Sequence, residues 1–251
     1  MKALIATPTA GEIVTTAYVA SVVAATRVFN GLGWSYLHAT FDGADVVMAR
    51  NYMANLVLQR AEISHVLFLD SDMAVEEAVL SRYVAADKGV VGAIYPERHL
   101  DLARYAEVSA QGATPERAQA MALTYNVHLT PGQVRVKGGF CEVEGLGFGC
   151  VLIQRGVLER MVAKGVAREI NSGKLAQQGM GPTIRDFFSR VEGPEGQWLS
   201  EDYAFCQRVR KGLGEKIWGD ASGEVGHVGR MTYGAPFLER LRGEVETGSK
   251  D

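Results

Sequence analysis

Along the first hundred residues, short apolar runs alternate with longer segments whose apolar positions recur every three or four residues. This is the pattern of strands and helices taken in turn. Ala3 to Ala6 predicts a buried first strand, ended by the turn-prone Thr7-Pro8-Thr9-Ala10-Gly11, and Thr15 to Asn30 predicts a helix closed by Gly31. Trp34 to Phe41 is rich in aromatic and β-favouring residues and predicts a second strand. Asp42-Gly43 ends it, and Asp45 is placed to cap a helix carrying Val46, Ala49, Met53, Leu56 and Val57. Strand His65 to Leu69, an acidic turn, helix Val75 to Ala86 and strand Gly89 to Ile94 complete the alternation. The usual solution is an α/β fold with a mostly parallel central sheet flanked by helices. Ligands of such sheets gather at the carboxyl ends of the strands, where Thr7-Pro8 and Asp70-Ser71-Asp72 both fall.

After Tyr95-Pro96 the rhythm changes. A helical excursion from Leu102 to Leu123 and short strands around Tyr125 to Leu129 and Gln133 to Val136 read as a lid or insertion. Gly138 to Ile153 is glycine-rich and then apolar, and Arg155 to Ala163 predicts a helix. Asn171 to Leu199 is polar, carries Pro182 and Pro194 and has little periodicity, which predicts a mobile loop. In the tail, Phe237, Leu238 and Leu241 have the spacing of a packing helix. The 251 residues, 47% of them hydrophobic, suffice for one large domain, and no internal repeat or heptad run is present.

A formal charge of −3 gives no general attraction to nucleic acid or anionic membrane. Cys141, Cys150 and Cys206 are odd in number, widely spaced and without a C-x-x-C pair, so reduced core thiols are expected rather than a disulfide framework or zinc site. Thr7-Pro8-Thr9 interrupts the first apolar stretch before a signal-peptide core could form, and no run reaches spanning length. A cytoplasmic protein is the expectation.

Three acidic or basic foci could carry chemistry. In Val66-Leu67-Phe68-Leu69-Asp70-Ser71-Asp72-Met73 an apolar strand ends in two carboxylates one residue apart. In extended backbone both point the same way, so one Mg²⁺ or Mn²⁺ could take both; alternatively Asp72 caps the next helix. Ser200-Glu201-Asp202-Tyr203 opens a helical pattern with Ser200 as N-cap. Its carboxylates either complement the helix dipole or provide a general base. Gly226-His227-Val228-Gly229 sets an imidazole between glycines, able to complete an ion site begun by carboxylates.

These foci, in this order, resemble a GT-A glycosyltransferase, particularly the small bacterial and phage-type members related to family 2. Gly147-Phe148-Gly149-Cys150-Val151-Leu152-Ile153 also carries the resemblance, with lesser echoes in Ala49-Arg50-Asn51 and Ile94-Tyr95-Pro96. It runs from Leu4 to about Gly234 and is poorest over Leu102 to Val136. It implies a single GT-A domain: residues 1–96 as the nucleotide-sugar-binding half, 97–137 as insertion or lid, 138–235 as the acceptor and catalytic half, and 236–251 as a tail. It further implies transfer of a sugar from a UDP-sugar, or a GDP-sugar, to a hydroxyl acceptor, assisted by Mn²⁺ or Mg²⁺. Asp72 and His227 would hold that ion, with Asp70 nearer the ribose or reaching the metal through water. Thr7, Pro8, Thr9, Arg50, Asn51, Ser71, Gly147 and Phe148 would line the donor site, although Arg50 also reads as an exposed helix charge. The glycines of 145–149 would leave room for a hexose. Asp202 would be the base of an inverting reaction and Glu201 would orient the site. Trp198 reads as a core residue, or as a platform for a sugar ring. A carbohydrate, a lipid-linked sugar or another hydroxyl compound would be the acceptor. The alternatives are a sugar-1-phosphate nucleotidyltransferase, disfavoured by the absence of Lys or Arg from Thr7 to Glu12, and a non-catalytic sugar-nucleotide-binding protein.

Overall fold

The computed structural model describes residues 1–132 and 134–230. Gln133 and the expected tail helix at Phe237, Leu238 and Leu241 lie outside the described residues. The first half follows the predicted alternation: β1 (Lys2–Thr9), α1 (Thr16–Gly31), β2 (Ser35–Asp42), α2 (Val46–Gln59), β3 (His65–Leu69), β4 (Met73–Val75), α3 (Glu77–Ala86) and β5 (Val90–Ala93). The caps are those the sequence calls for. The Thr15 side chain accepts the Tyr18 amide at the start of α1, and Asp45 accepts the Met48 amide at the start of α2.

The next segment contains β6 (Pro96–Leu100), α4 (Leu102–Ala110), α5 (Pro115–Ala122), β7 (Leu123–Tyr125), β8 (Val127–Leu129) and β9 (Val136–Lys137). Then follow β10 (Phe140–Leu146), β11 (Cys150–Gln154), α6 (Arg155–Ala163), β12 (Arg168–Asn171), a 3₁₀ turn at Gly173–Gln178 and β13 (Thr183–Asp186). The chain continues through α7 (Glu201–Gln207), a wider π-helical turn at Arg208–Leu213, β14 (Ile217–Asp220) and β15 (Val225–His227). The main sheet has nine strands in the order β2-β1-β3-β11-β5-β14-β10-β8, with β9 beside β10. Strands β2, β1, β3, β5 and β14 run in one direction, while β11 and β10 are antiparallel to their neighbours. The carboxyl ends of β1, β3, β5 and β14 therefore share one edge.

Period-2 alternation divides the core in two. Leu4, Val66, Phe68, Val151 and Ile153 pack on the face covered by α2 and α6, and Ala3, Ile5, Leu67, Leu69 and Leu152 on the face covered by α1 and α3. All three cysteines are buried free thiols. No helix among the described residues is long and apolar enough to cross a membrane.

Two elements differ from expectation. The helix expected from Val75 begins instead at Glu77, because Met73–Val75 form a strand that pairs with β15 across Val225↔Val75, Gly226↔Ala74 and His227↔Met73. The segment 171–199 is not a free loop. Its β13 pairs with β12, and Phe187 and Phe188 are wholly buried, Phe188 against Phe68 and Phe205. Two asparagines of α2 hold it there. Asn51 Oδ1 accepts the amides of Phe187 (2.8 Å) and Phe188 (3.2 Å) while its Nδ2 donates to Asp186 (3.1 Å), and Asn55 exchanges two 2.8 Å bonds with the Arg185 backbone. Asn51 thus serves the fold rather than a donor molecule. Asn51→Ala would leave buried amides unpaired and cost about 3 kcal/mol. Urea unfolding should show a lower midpoint at unchanged slope, and a wild-type midpoint would remove Asn51 from this role.

Candidate active site

The acidic pair stands in a turn between β3 and β4, not in extended backbone. The Met73 amide donates to the Asp70 carbonyl (3.2 Å) and the Asp70 amide to the Gly149 carbonyl (2.9 Å). The two carboxylates accordingly take different partners. Both Asp70 oxygens accept from Arg50 Nη2 at 3.2 Å. Asp72 Oδ2 accepts from Arg98 Nη1 at 2.9 Å and lies 3.4 Å from His227 Nε2. Asp72 does not cap α3, whose N-cap position is Glu76. The two carboxylates are exposed to the same degree, 26% and 25% of their side-chain surface, and differ in their partners: Arg50 holds Asp70, and Arg98 and His227 hold Asp72.

His227 reaches Asp72 because the β4–β15 ladder sets it opposite Met73, and the Val228 amide donates to the Asp72 carbonyl at 2.8 Å. His227 Nδ1 is 3.0 Å from the Pro96 carbonyl. A carbonyl only accepts, so Nδ1 carries a proton and Nε2 is aimed at Asp72. The hydrogen bond to Asp72 raises the His227 pKa above the ordinary imidazole value, against the opposing effect of burial. Burial would raise Asp72, but the hydrogen bond and charge of His227, with Arg98, hold it below the usual carboxylate range.

Arg50 is 3% exposed, so it is neither a surface charge nor open to a nucleotide. Nε donates to Glu201 Oε1 (3.2 Å), Nη1 to the Phe148 carbonyl (3.3 Å) and Nη2 to Asp70. Its guanidinium also lies 5.4 Å from the Phe148 ring centroid and 5.7 Å from that of Phe68. Burial disfavours its charge, yet Asp70, Glu201 and Asp202 together raise its pKa. Burial raises the Asp70 pKa, with Asp72 and Glu201 adding to the effect and Arg50 opposing it.

Glu201 and Asp202 begin α7 and are both buried. Ser200 occupies the N-cap position, but its hydroxyl donates to Asp202 Oδ1, which also accepts the Tyr203 amide at 2.8 Å. Among the described residues none donates to Asp202 Oδ2. A carboxylate with one oxygen oriented and the other available has the form of a general base.

The other predicted residues fall into place differently. Thr7 is buried and accepts the Tyr18 hydroxyl (2.7 Å), Thr9 donates to Asp42 (3.0 Å), and Pro8 is half-buried between them. The Ser71 carbonyl takes the Thr15 amide at 2.9 Å, tying the turn to α1. Gly147, Phe148 and Gly149 do not leave space for a hexose. A Cβ at Gly147 or Gly149 would meet Tyr95, and one at Gly145 would meet Tyr203, so these glycines admit the protein's own rings. Trp198 is 73% exposed rather than in the core. Sequence reasoning missed Arg98 and Asn126 and gave Tyr95 only as a lesser echo of the resemblance. Arg98 contacts Asp72. Tyr95 packs edge-on against His227 and accepts the Gly149 amide, and Asn126 bridges Tyr95 to the Tyr203 hydroxyl. Only the placement of Tyr95 and Arg98 just beyond a strand's carboxyl end signals them beforehand.

Among the described residues no three His, Cys, Asp or Glu side chains converge as a metal cluster. Asp72 and His227 do converge, with Nδ1 of the imidazole anchored on a carbonyl as metal-ligating histidines usually are. Two protein ligands suit Mg²⁺ or Mn²⁺ when a nucleotide's phosphates supply the rest. A cavity of about 1060 Å³ opens beside His227, lined in part by Arg98, His99, Tyr125 and Gly226.

No protein-family model and no curated protein matches this chain. Solved structures of similar shape include A197 from STIV (TM-score 0.46, 14% identity, covering 94% of this chain and 100% of that one). The catalytic domain of Drosophila β1,4-galactosyltransferase 7 in complex with xylobiose is another (TM-score 0.45, 13% identity, 96% and 79% covered). GalNAc-T7 with UDP, GalNAc and Mn²⁺ is a third (TM-score 0.41, 12% identity, 98% and 48% covered). These are likenesses of overall shape, and the reading of the site rests on its own geometry.

The Asp72–His227 pair has a defined pH window. The raised His227 pKa contributes stability that is complete below the unfolded imidazole pKa and lost as pH rises through the folded value. The lowered Asp72 pKa contributes stability present above the unfolded carboxylate pKa and lost as pH falls through the folded one. In metal-free protein, the His227 ring signals should titrate above free imidazole, and Asp72→Asn should lower the midpoint. A midpoint that Asp72→Asn leaves in place would assign the shift to another partner.

Proposed function

We propose that this protein is a divalent-cation-dependent glycosyltransferase that moves a sugar from a nucleoside-diphosphate donor to a hydroxyl acceptor. The observation that supports this reading is the spatial series Asp72, Asp70, Arg50, Glu201, Asp202. Asp72, the carboxylate beside His227, is thereby linked through Arg50 and its two carboxylate partners to a carboxylate with one oxygen unengaged by the described residues. A departing diphosphate needs positive charge, and a divalent ion at Asp72 and His227 would supply it when bound. Asp202 Oδ2 takes the proton of the acceptor hydroxyl as that oxygen bonds to the anomeric carbon and the bond to phosphate breaks. Ser200 and the Tyr203 amide keep its Oδ1 oriented during this step. Arg50 fixes Glu201 and Asp70 and so sets the spacing between base and leaving group. Attack from the base side, opposite the departing phosphate, inverts the anomeric carbon. The donor is a UDP-sugar in preference to a GDP-sugar.

Removing the base without disturbing the donor site provides the test. Asp202→Asn should retain the Mn²⁺-dependent thermal stabilisation by one member of a panel of UDP, GDP, CDP and ADP. Its turnover of the matching nucleotide-sugar should fall by about a hundredfold or more, the scale of lost general-base assistance. Unchanged turnover would remove Asp202 from this role. Failure of every nucleotide with metal to shift the wild-type melting temperature would overturn the donor class itself.

A further inference from the structure

Asp72 Oδ2 faces two cationic side chains, and they are held differently. His227 is fixed at both ring nitrogens, by the Pro96 carbonyl and by Asp72. Arg98 comes from the same strand, β6, as that carbonyl, and its side chain is 54% exposed. Its stem is seated where Gly229 has no side chain, since a Cβ there would run into Arg98 Cβ, Cγ and Cδ. The guanidinium beyond that seat makes one hydrogen bond among the described residues, to Asp72, and lines the neighbouring cavity. The stem is a pivot and the head is weakly held. Arg50, the other arginine at the acidic turn, has its three nitrogens committed to Glu201, Phe148 and Asp70 and has no such freedom.

We infer that Arg98 is a donor-binding residue that exchanges partners, resting on Asp72 when the site is without donor and moving to the donor's diphosphate when Asp72 accepts a divalent cation. The inference rests on the nucleotide-sugar reading above and gives a role to a guanidinium that the sequence does not single out. The same carboxylate oxygen cannot keep a guanidinium at 2.9 Å and accept a divalent ion without setting like charges side by side. The diphosphate that accompanies the ion brings the compensating negative charge, and a guanidinium matches phosphate oxygens in geometry. Two consequences follow from the exchange. Arg98 opposes binding of the cation alone, and it favours binding of cation and diphosphate together. The coupling is reciprocal, so metal must tighten nucleotide binding by the factor with which nucleotide tightens metal binding.

The experiment measures bound Mn²⁺ by the loss of the free-ion electron paramagnetic resonance signal, using MnCl₂ alone and with UDP, and with GDP, CDP and ADP in parallel. Wild type, Arg98→Gln and Arg98→Lys are compared, with circular dichroism verifying the fold of each. Arg98→Gln should bind Mn²⁺ alone up to about fivefold more tightly, the effect of removing a competing exposed ion pair. The tightening of Mn²⁺ binding by nucleotide should fall in that variant by about tenfold, and Arg98→Lys should restore part of it. Wild-type values for both quantities in Arg98→Gln would reduce Arg98 to an ordinary surface pair and overturn the inference alone. Weaker binding of Mn²⁺ alone would also overturn it, because Arg98 would then support the metal site. If the wild-type protein binds no nucleotide with Mn²⁺, the nucleotide-sugar reading fails and takes this inference with it.

Discussion

One buried guanidinium organises the centre of this protein. Arg50 enters from α2 into a space walled by Phe68 and Phe148, where an unpaired charge would be strongly disfavoured. It is tolerated because Asp70, Glu201 and the Phe148 carbonyl converge on its three nitrogens. Removing one member of such a buried set typically costs about 3–5 kcal/mol, since the charge left behind has no partner and no water. The four segments meeting at Arg50 are far apart in sequence. Each must arrive for the others to be stable, so the distance between the acidic turn and the start of α7 is fixed by the same interaction that closes the core.

That constraint has a consequence for chemistry. With Asp70 held by Arg50, its neighbour Asp72 is the carboxylate that meets His227 and Arg98. The tight turn between β3 and β4 produces the separation, and the short β4–β15 ladder brings the histidine to it. Glu201 is held from the opposite side, which leaves Asp202 as the carboxylate with an oxygen unengaged by the described residues. Each acidic pair therefore gives one member to Arg50 and leaves the other to separate partners. The glycines of 145–149 serve the same end by admitting Tyr95 and Tyr203 against the backbone.

Local features were readable where local physics decides them. The caps at Thr15 and Asp45, strand β3 and helix α6 at Arg155–Ala163 lie where periodicity and capping chemistry place them. The proximity of Asp72 and His227 was anticipated from resemblance, yet its cause, a pairing of two three-residue strands whose partners lie 150 to 154 positions apart in the chain, leaves almost no sequence signal. Burial of Arg50 was equally hidden, because an arginine between Ala49 and Asn51 on a helix looks the same whether it meets solvent or two carboxylates. The order in 171–199 depends on Asn51 and Asn55, whose amides replace the regular backbone pairing that a periodic segment would show. Trp198 remained exposed because a short turn bonded from Gly193 to Gln197 carries it away from the aromatic cluster of Phe148, Phe188 and Phe205.

In the proposed mechanism cation and diphosphate meet at Asp72, beside His227 and Arg98. Paramagnetic broadening of the histidine ring signals tests it most directly, with Mn²⁺ added well below the protein concentration in the presence of UDP. His227 should broaden first, while His65, at the opposite end of β3 from the acidic turn, should persist. Equal broadening of both rings, or of neither, would contradict a cation site at Asp72 and His227.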